Sequence, residues 1–156
     1  MRALVLGALV LAGLSGAASA ACAPDEIWVR GDWGQARFRV EVADDAQTRA
    51  RGLMERAHLP SSAGMLFIYE RPQRVAFWMK NTLIPLDMIF ADARGVVQRV
   101  HDTATPGDET PIEGGAAVQY VLEINGGLAG SLGIAPGSEL RHPGIEASDA
   151  AWPCEE

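Results

Sequence analysis

Positive charge is what this 156-residue chain has least of: 13 Lys and Arg stand against 20 Asp and Glu, a formal net charge of −7. That balance argues against nucleic acid and anionic membrane surfaces as partners, because both reward basic patches. Cysteine is nearly absent, with only Cys22 and Cys154, and no C-x-x-C pair is present to suggest a redox centre or a zinc site. The three histidines, His58, His101 and His142, are scattered and read as surface residues rather than ligands or bases. The chain also lacks a G-x-S-x-G elbow, an H-E-x-x-H pair and a glycine-rich phosphate loop, so it announces no standard catalysis and no cofactor or metal set.

Long apolar runs are missing except at the start. Arg2, the apolar stretch Ala3 to Leu14 and the small residues Ala18-Ser19-Ala20 compose a secretory signal over residues 1–20, too short in its apolar part to span a bilayer. Export to the periplasm or beyond is therefore expected. A lipid anchor on Cys22 is the minor alternative, and Ser19 stands against it where such signals carry an aliphatic residue. The remaining 135 or so residues suit one core, divided as an N-terminal segment at 21–35, a single domain at 36–143 and a tail at 144–156. With one cysteine at each end, a Cys22–Cys154 disulfide is the economical reading in an oxidising compartment. Two cysteines in terminal segments that never meet is the alternative.

What the chain does have is short strand patterns. Ile27 to Arg30, a glycine-flanked turn and Gln35 to Val42 predict a hairpin, its second arm alternating Ala36, Phe38, Val40 and Val42 against Gln35, Arg37, Arg39 and Glu41. Asp44 with Gln47 resembles a capping box, and the spacing of Ala46, Ala50, Leu53, Met54 and Ala57 predicts a helix over 45–56. Gly64 to Tyr69 and Val75 to Lys80 read as separate strands. Leu86 to Ala91 pairs with Val96 to His101 through a turn at Gly95. Residues 102–117 read as a Pro-, Gly- and acid-rich loop, either covering the central stretch or simply solvated. Val118 to Asn125 is a strand with Val118, Tyr120, Leu122 and Ile124 inward, 126–132 a short helix, and 138–141 a last strand. Many short strands with little helix point to a mainly β sandwich or barrel.

The blocks Arg51-Gly52-Leu53-Met54, Gly64-Met65-Leu66-Phe67, Phe77 to Thr82 with Pro85-Leu86-Asp87, and Tyr120-Val121-Leu122-Glu123 resemble the DUF192 family, a domain of unknown function, across about Ala36 to Arg141. The resemblance implies a mainly β, jelly-roll-like fold and brings no catalytic residue set with it.

The chemistry concentrates in Phe77 to Phe90, FWMKNTLIPLDMIF, read as a strand, turn and strand. A functional reading has Lys80, Asn81 and Asp87, with Glu123 and Arg51, converging on a polar pocket for a small polar ligand or a partner's loop, and Trp78 as an apolar platform. A structural reading has Asp87 and Asn81 capping a turn, with Lys80 neutralising Asp87. The first predicts a non-catalytic binding module. Its alternative is a hydrolase or lyase with Asp87 or Glu123 as general base and Lys80 stabilising negative charge. Met54, Met65, Met79 and Met88 suggest Cu(I) binding as a lesser alternative, against the commoner role of methionine as core filler.

Overall fold

The computed structural model describes residues 22–154; the expected signal at 1–20 lies outside them. Seven strands form one curled sheet: β1 (Glu26–Gly31), β2 (Gly34–Ala43), β3 (Ala63–Phe77), β4 (Leu86–Ala91), β5 (Val97–Ala104), β6 (Ile112–Asn125) and β7 (Glu139–Arg141), in the order β5-β4-β6-β3-β2-β1-β7. The short helices α1 (Ala46–Arg51) and α2 (Leu128–Leu132) complete the fold. The sheet curls into a half-barrel, and its two ends meet where Val96 bridges Glu139 and Val97 donates to the Ser138 carbonyl at 2.8 Å. The mainly β architecture is the one expected.

The hairpin of β1 and β2 runs in register from Glu26↔Arg39 to Gly31↔Gly34. β2 then pairs in parallel with β3, a connection that requires a crossover, and α1 lies within it. The helix is shorter than its periodicity predicts. Its cap is Asp45, which accepts from the Gln47 and Thr48 amides at 2.8 Å, one residue later than the Asp44–Gln47 box. It stops at Gly52, whose φ of 50° is open to glycine and whose added Cβ would lie 3.3 Å from the Phe67 ring.

The strand-turn-strand reading of Phe77 to Phe90 fails. β3 and β4 do not pair with each other; both pair with β6, which lies between them. Residues 78–85 are thus a crossover that returns along the outer face of β6, from its Ile112 end to its Asn125 end. Gly64 to Tyr69 and Val75 to Lys80 are not separate strands either. Gly64 to Tyr69 and Val75 to Phe77 belong to the single long β3, with register shifts between Ile68 and Ala76 around the exposed Glu70 to Arg74, and Trp78 to Lys80 lie in the crossover. The long loop is also smaller than expected: Asp102 to Ala104 end β5 and Ile112 to Ala117 begin β6. The remaining loop docks on the crossover, with Met79 donating to Asp108 at 2.7 Å and Gly107 donating to both Met79 and Thr82 at 3.1 Å.

Strand period two assigns the faces. Leu66, Ile89, Tyr120, Leu122 and Ile124 join Ile27, Phe38, Val40 and Leu140 in the inner core. Met65, Phe67, Met88, Phe90 and Val121 lie on the opposite face under Leu53, Leu59, Met79 and Val75. Both faces of the central strands are covered, which is why every residue of β4 is buried. Met65, Met79 and Met88 are buried within that second cluster, and Met54 lies beside it. His142, expected at the surface, is buried: its Nε2 lies 2.9 Å from the Pro24 carbonyl, and its Nδ1 accepts from the Gly144 amide.

Cys22 and Cys154 are bonded across a sequence separation of 132 residues, so the same sulfur is not free for a lipid. Beside the bond, Trp152 lies between the guanidiniums of Arg30 and Arg141, 4.4 Å from each, and Arg141 also faces Trp28 at 5.5 Å. Disulfide and stack together hold the tail against β1 and β7. In the chain-entropy model a loop of this length is worth about 5 kcal/mol. Reduction under native conditions is therefore expected to lower the urea midpoint and to raise the m-value, because the unfolded chain then expands and exposes more surface. A loss below about 1 kcal/mol would assign the tail's attachment to the Arg–Trp stack.

Candidate functional site

The sheet separates the polar residues singled out in the sequence. Asp87 pairs with Ile124 and faces inward, whereas Glu123 pairs with Met65 and Met88 and faces outward. Asp87 is fully buried and its carboxylate is held by three backbone amides. Oδ1 accepts from the Thr103 and Gly127 amides at 2.7 and 2.8 Å, and Oδ2 accepts from Ala129 at 2.7 Å. Burial, joined by the neighbouring Asp102 carboxyl, raises its pKa above the ordinary range against the pull of these three donors. Lys80 does not pair with it. The ammonium lies 3.9 Å from Glu109 of the docked loop and 5.0 Å from the Trp78 ring centre. Asn81 adopts a φ of 53°, and its carbonyl accepts from Glu55, itself at φ 62°, at 2.8 Å. Lys80, Asn81 and Asp87 therefore serve three different places.

Glu123 is the exception. Its residue is 4% exposed, and among the described residues its carboxyl has no hydrogen-bond partner. Burial alone pushes its pKa up to about 8. It lines a cleft with Arg49 and Arg51 of α1, Gly52, Leu53 and Met54 just after it, Phe67 and Phe77 of β3, and Trp78 and Thr82 of the crossover. Free space in this cleft is about 40 Å³, room for a few water-sized groups. Phe67 and Phe77 meet edge to face at 5.0 Å. Arg49 is occupied, donating to the Asp44 and Ile68 carbonyls, while the Arg51 side chain is 71% exposed and only loosely paired with Glu55 at 3.7 Å. Trp78 stands 45% exposed. The hydrogen bond from Glu55 to Asn81 ties the two walls together.

Of the six side chains predicted for the site, the cleft unites Arg51, Trp78 and Glu123; Lys80 touches it through Trp78, and Asn81 braces it from behind. Sequence reasoning did not single out Gly52, Leu53, Phe67, Phe77 and Thr82 as site residues, and it named Met54 only as a candidate copper ligand. Their signal was present, since every one lies in the motif blocks that carry the family resemblance. A larger groove of about 530 Å³ runs between Gln98–Arg99 and Gly114–Val118. It has no buried polar side chain to orient a ligand.

The DUF192 family model, described as "Uncharacterized ACR", matches residues 28–142. Two solved structures are similar over most of the chain. A protein of unknown function from Novosphingobium aromaticivorans DSM 12444 is 43% identical with a TM-score of 0.72, covering 74% of this chain and 82% of its own. A protein from Sinorhizobium meliloti 1021, provisionally described as a transcription regulator, is 35% identical with a TM-score of 0.76, covering 81% and 98%. No match was found among curated proteins.

Two substitutions separate the carboxyls. Asp87→Asn places an NH₂ against backbone donors and is expected to destabilise the fold by about 3 kcal/mol, read as a fall in the urea midpoint. Glu123→Gln is expected to do the reverse at neutral pH. Between its ordinary range and about 8, the unfolded chain releases the Glu123 proton while the folded one keeps it. Stability then falls with rising pH by up to about 1.4 kcal/mol per unit and levels off above that window. The Gln variant should lack this descent; a wild type with the same profile would place the Glu123 pKa in the ordinary range.

Proposed function

Because the chain belongs to the DUF192 family, which brings a fold without an assigned chemistry, we propose from its cleft that it is an exported, non-catalytic binding module. Its ligand enters between Arg51–Met54 and Trp78–Thr82 and meets Glu123. The carrying observation is Glu123 itself. Among the described residues no group hydrogen-bonds its carboxyl, and its oxygens open onto the cleft and are not sealed in the core, so the contacts that a buried polar group needs are left to solvent or a ligand. The shift of its pKa to about 8 agrees with a functional position.

Export rests on the residue 1–20 pattern and agrees with the disulfide. No described helix is long and apolar enough to cross a membrane. The S. meliloti relative's description does not extend to nucleic-acid binding here. The charge of −7 opposes it, and Arg30, Arg37 and Arg141 of the barrel's outer surface are engaged with tryptophan rings.

A second reading has Glu123 as general acid in a hydrolase or lyase, since a carboxyl protonated at neutral pH can deliver a proton. Lys80 does not assist it, because its partner is Glu109. Binding is favoured because no second titratable group free for proton transfer lines the cleft.

The test is a thermal-shift screen of metals, sugars, nucleotides and cell-wall fragments against the disulfide-bonded protein from residue 22 onward. Hits are expected to disappear in Glu123→Ala and to survive in Lys80→Met. A ligand lost in Lys80→Met but retained in Glu123→Ala would move the site out of the cleft, and turnover of a hit would favour the acid-catalyst reading.

A further inference from the structure

The charges at the cleft restrict what can occupy it. At its mouth Arg51 is loosely paired with Glu55, and Lys80 lies beside Glu109 and against the Trp78 ring at 5.0 Å, so the rim is balanced in charge and draws neither a cation nor an anion. Inside is a carboxyl with no donor of its own, so an anion placed there meets either a negative charge or a single proton. A neutral group suits it better, provided that it both donates and accepts, because a protonated carboxyl offers one donor and one acceptor site. A hydroxyl does this with one oxygen and fits a free volume of about 40 Å³; a carboxamide must place a second polar atom against Phe67, Phe77 and Leu53. At the mouth, Trp78 is 45% exposed and presents a flat apolar surface, the complement of a ring whose C–H bonds line one face and whose hydroxyls point outward.

Resting on the binding reading above, we propose that the ligand is an uncharged saccharide, stacked on Trp78 with one hydroxyl or hydroxymethyl group inserted to Glu123. Glu123 holds the inserted oxygen by donating to it and accepting from it, and Thr82 and the Gly52 backbone border the same space. Gly52 is required there in any case, since an added Cβ would press on Phe67 at 3.3 Å in a left-handed backbone. Arg51 remains free to take a second hydroxyl outside the cleft.

The experiment follows the Trp78 indole N–H by ¹H–¹⁵N NMR, assigned with Trp78→Phe, while the disulfide-bonded protein is titrated with methyl glucoside and N,N′-diacetylchitobiose. Propionamide, methylammonium and acetate serve as probes of the competing classes. A saccharide is expected to shift the indole signal, to weaken about tenfold in Glu123→Ala by that signal and in Trp78→Ala by the backbone amides of Gly52 and Thr82, which border the cleft, the loss of one good contact, and to stay within about threefold in Glu123→Gln, which still donates and accepts. Preferential binding of methylammonium or acetate at the same resonance would overturn the saccharide assignment while leaving the cleft a binding site. Preference for propionamide would overturn it in favour of a peptide carboxamide. If no probe shifts Trp78, both the assignment and the binding reading fall.

Discussion

Three backbone amides converging on one carboxylate hold the inner half of this fold together. Asp87 stands in β4, a strand buried on both faces, and its oxygens receive the N–H groups of Thr103, Gly127 and Ala129. These donors come from the end of β5 and from the turn that opens α2. Two sit in left-handed backbone, Thr103 at φ 50° and Gly127 at φ 81°, a conformation that keeps them out of an ordinary ladder. Of the three amides that of Ala129 is buried outright, and a buried amide without an acceptor is strongly unfavourable, so the carboxylate is what allows the start of α2 to lie against the core. From there α2 contributes Ala129 and leads into Ile134 among the inner residues.

The same sheet carries a second buried carboxyl with the opposite arrangement. Glu123, one strand over and facing outward, lies between Met65 and Met88 and receives no donor. The two acids have similar burial and different meanings. Where the protein supplies three backbone donors, the carboxyl is part of the architecture. Where it fills none and leaves an opening, the group is held at the expense of stability, and a ligand is the natural supplier of the missing contacts.

Local pattern carried much of the fold. The alternation of Phe38, Val40 and their neighbours gave β2 and its hairpin correctly, and the apolar run at Leu86 with the glycine turn at Gly95 gave β4 and β5. What local pattern could not carry was the partner of a strand. Phe77 and Leu86 are close enough in sequence to suggest a hairpin, yet β6, thirty-odd residues downstream, inserts between their strands because it offers an apolar residue on either face. Glu70 to Arg74, charged and interrupted by Pro72, looked like a break in the chain and is instead the exposed middle of β3. The error carried over to the site. Lys80 and Asp87 look like partners only within a hairpin, and in the real topology one meets solvent and Glu109 while the other turns into the core.

The residues behind the family resemblance show how the remaining site was legible without being read. Leu66, Tyr120 and Leu122 belong to the inner core, and packing is reason enough for them. Packing does not account for Arg51, which is mostly exposed, for Trp78 at the surface, or for Glu123, which a core would replace with a hydrocarbon. These three come from a helix end, a crossover and a central strand, and their common property is the cleft they line. Asn81 fits the same account, because its left-handed backbone turns its carbonyl toward Glu55 and fixes the spacing of the two walls. A motif block that mixes core residues with residues unsuited to a core is therefore best divided by sheet face first. The part left over after packing has been satisfied is where a ligand should be sought.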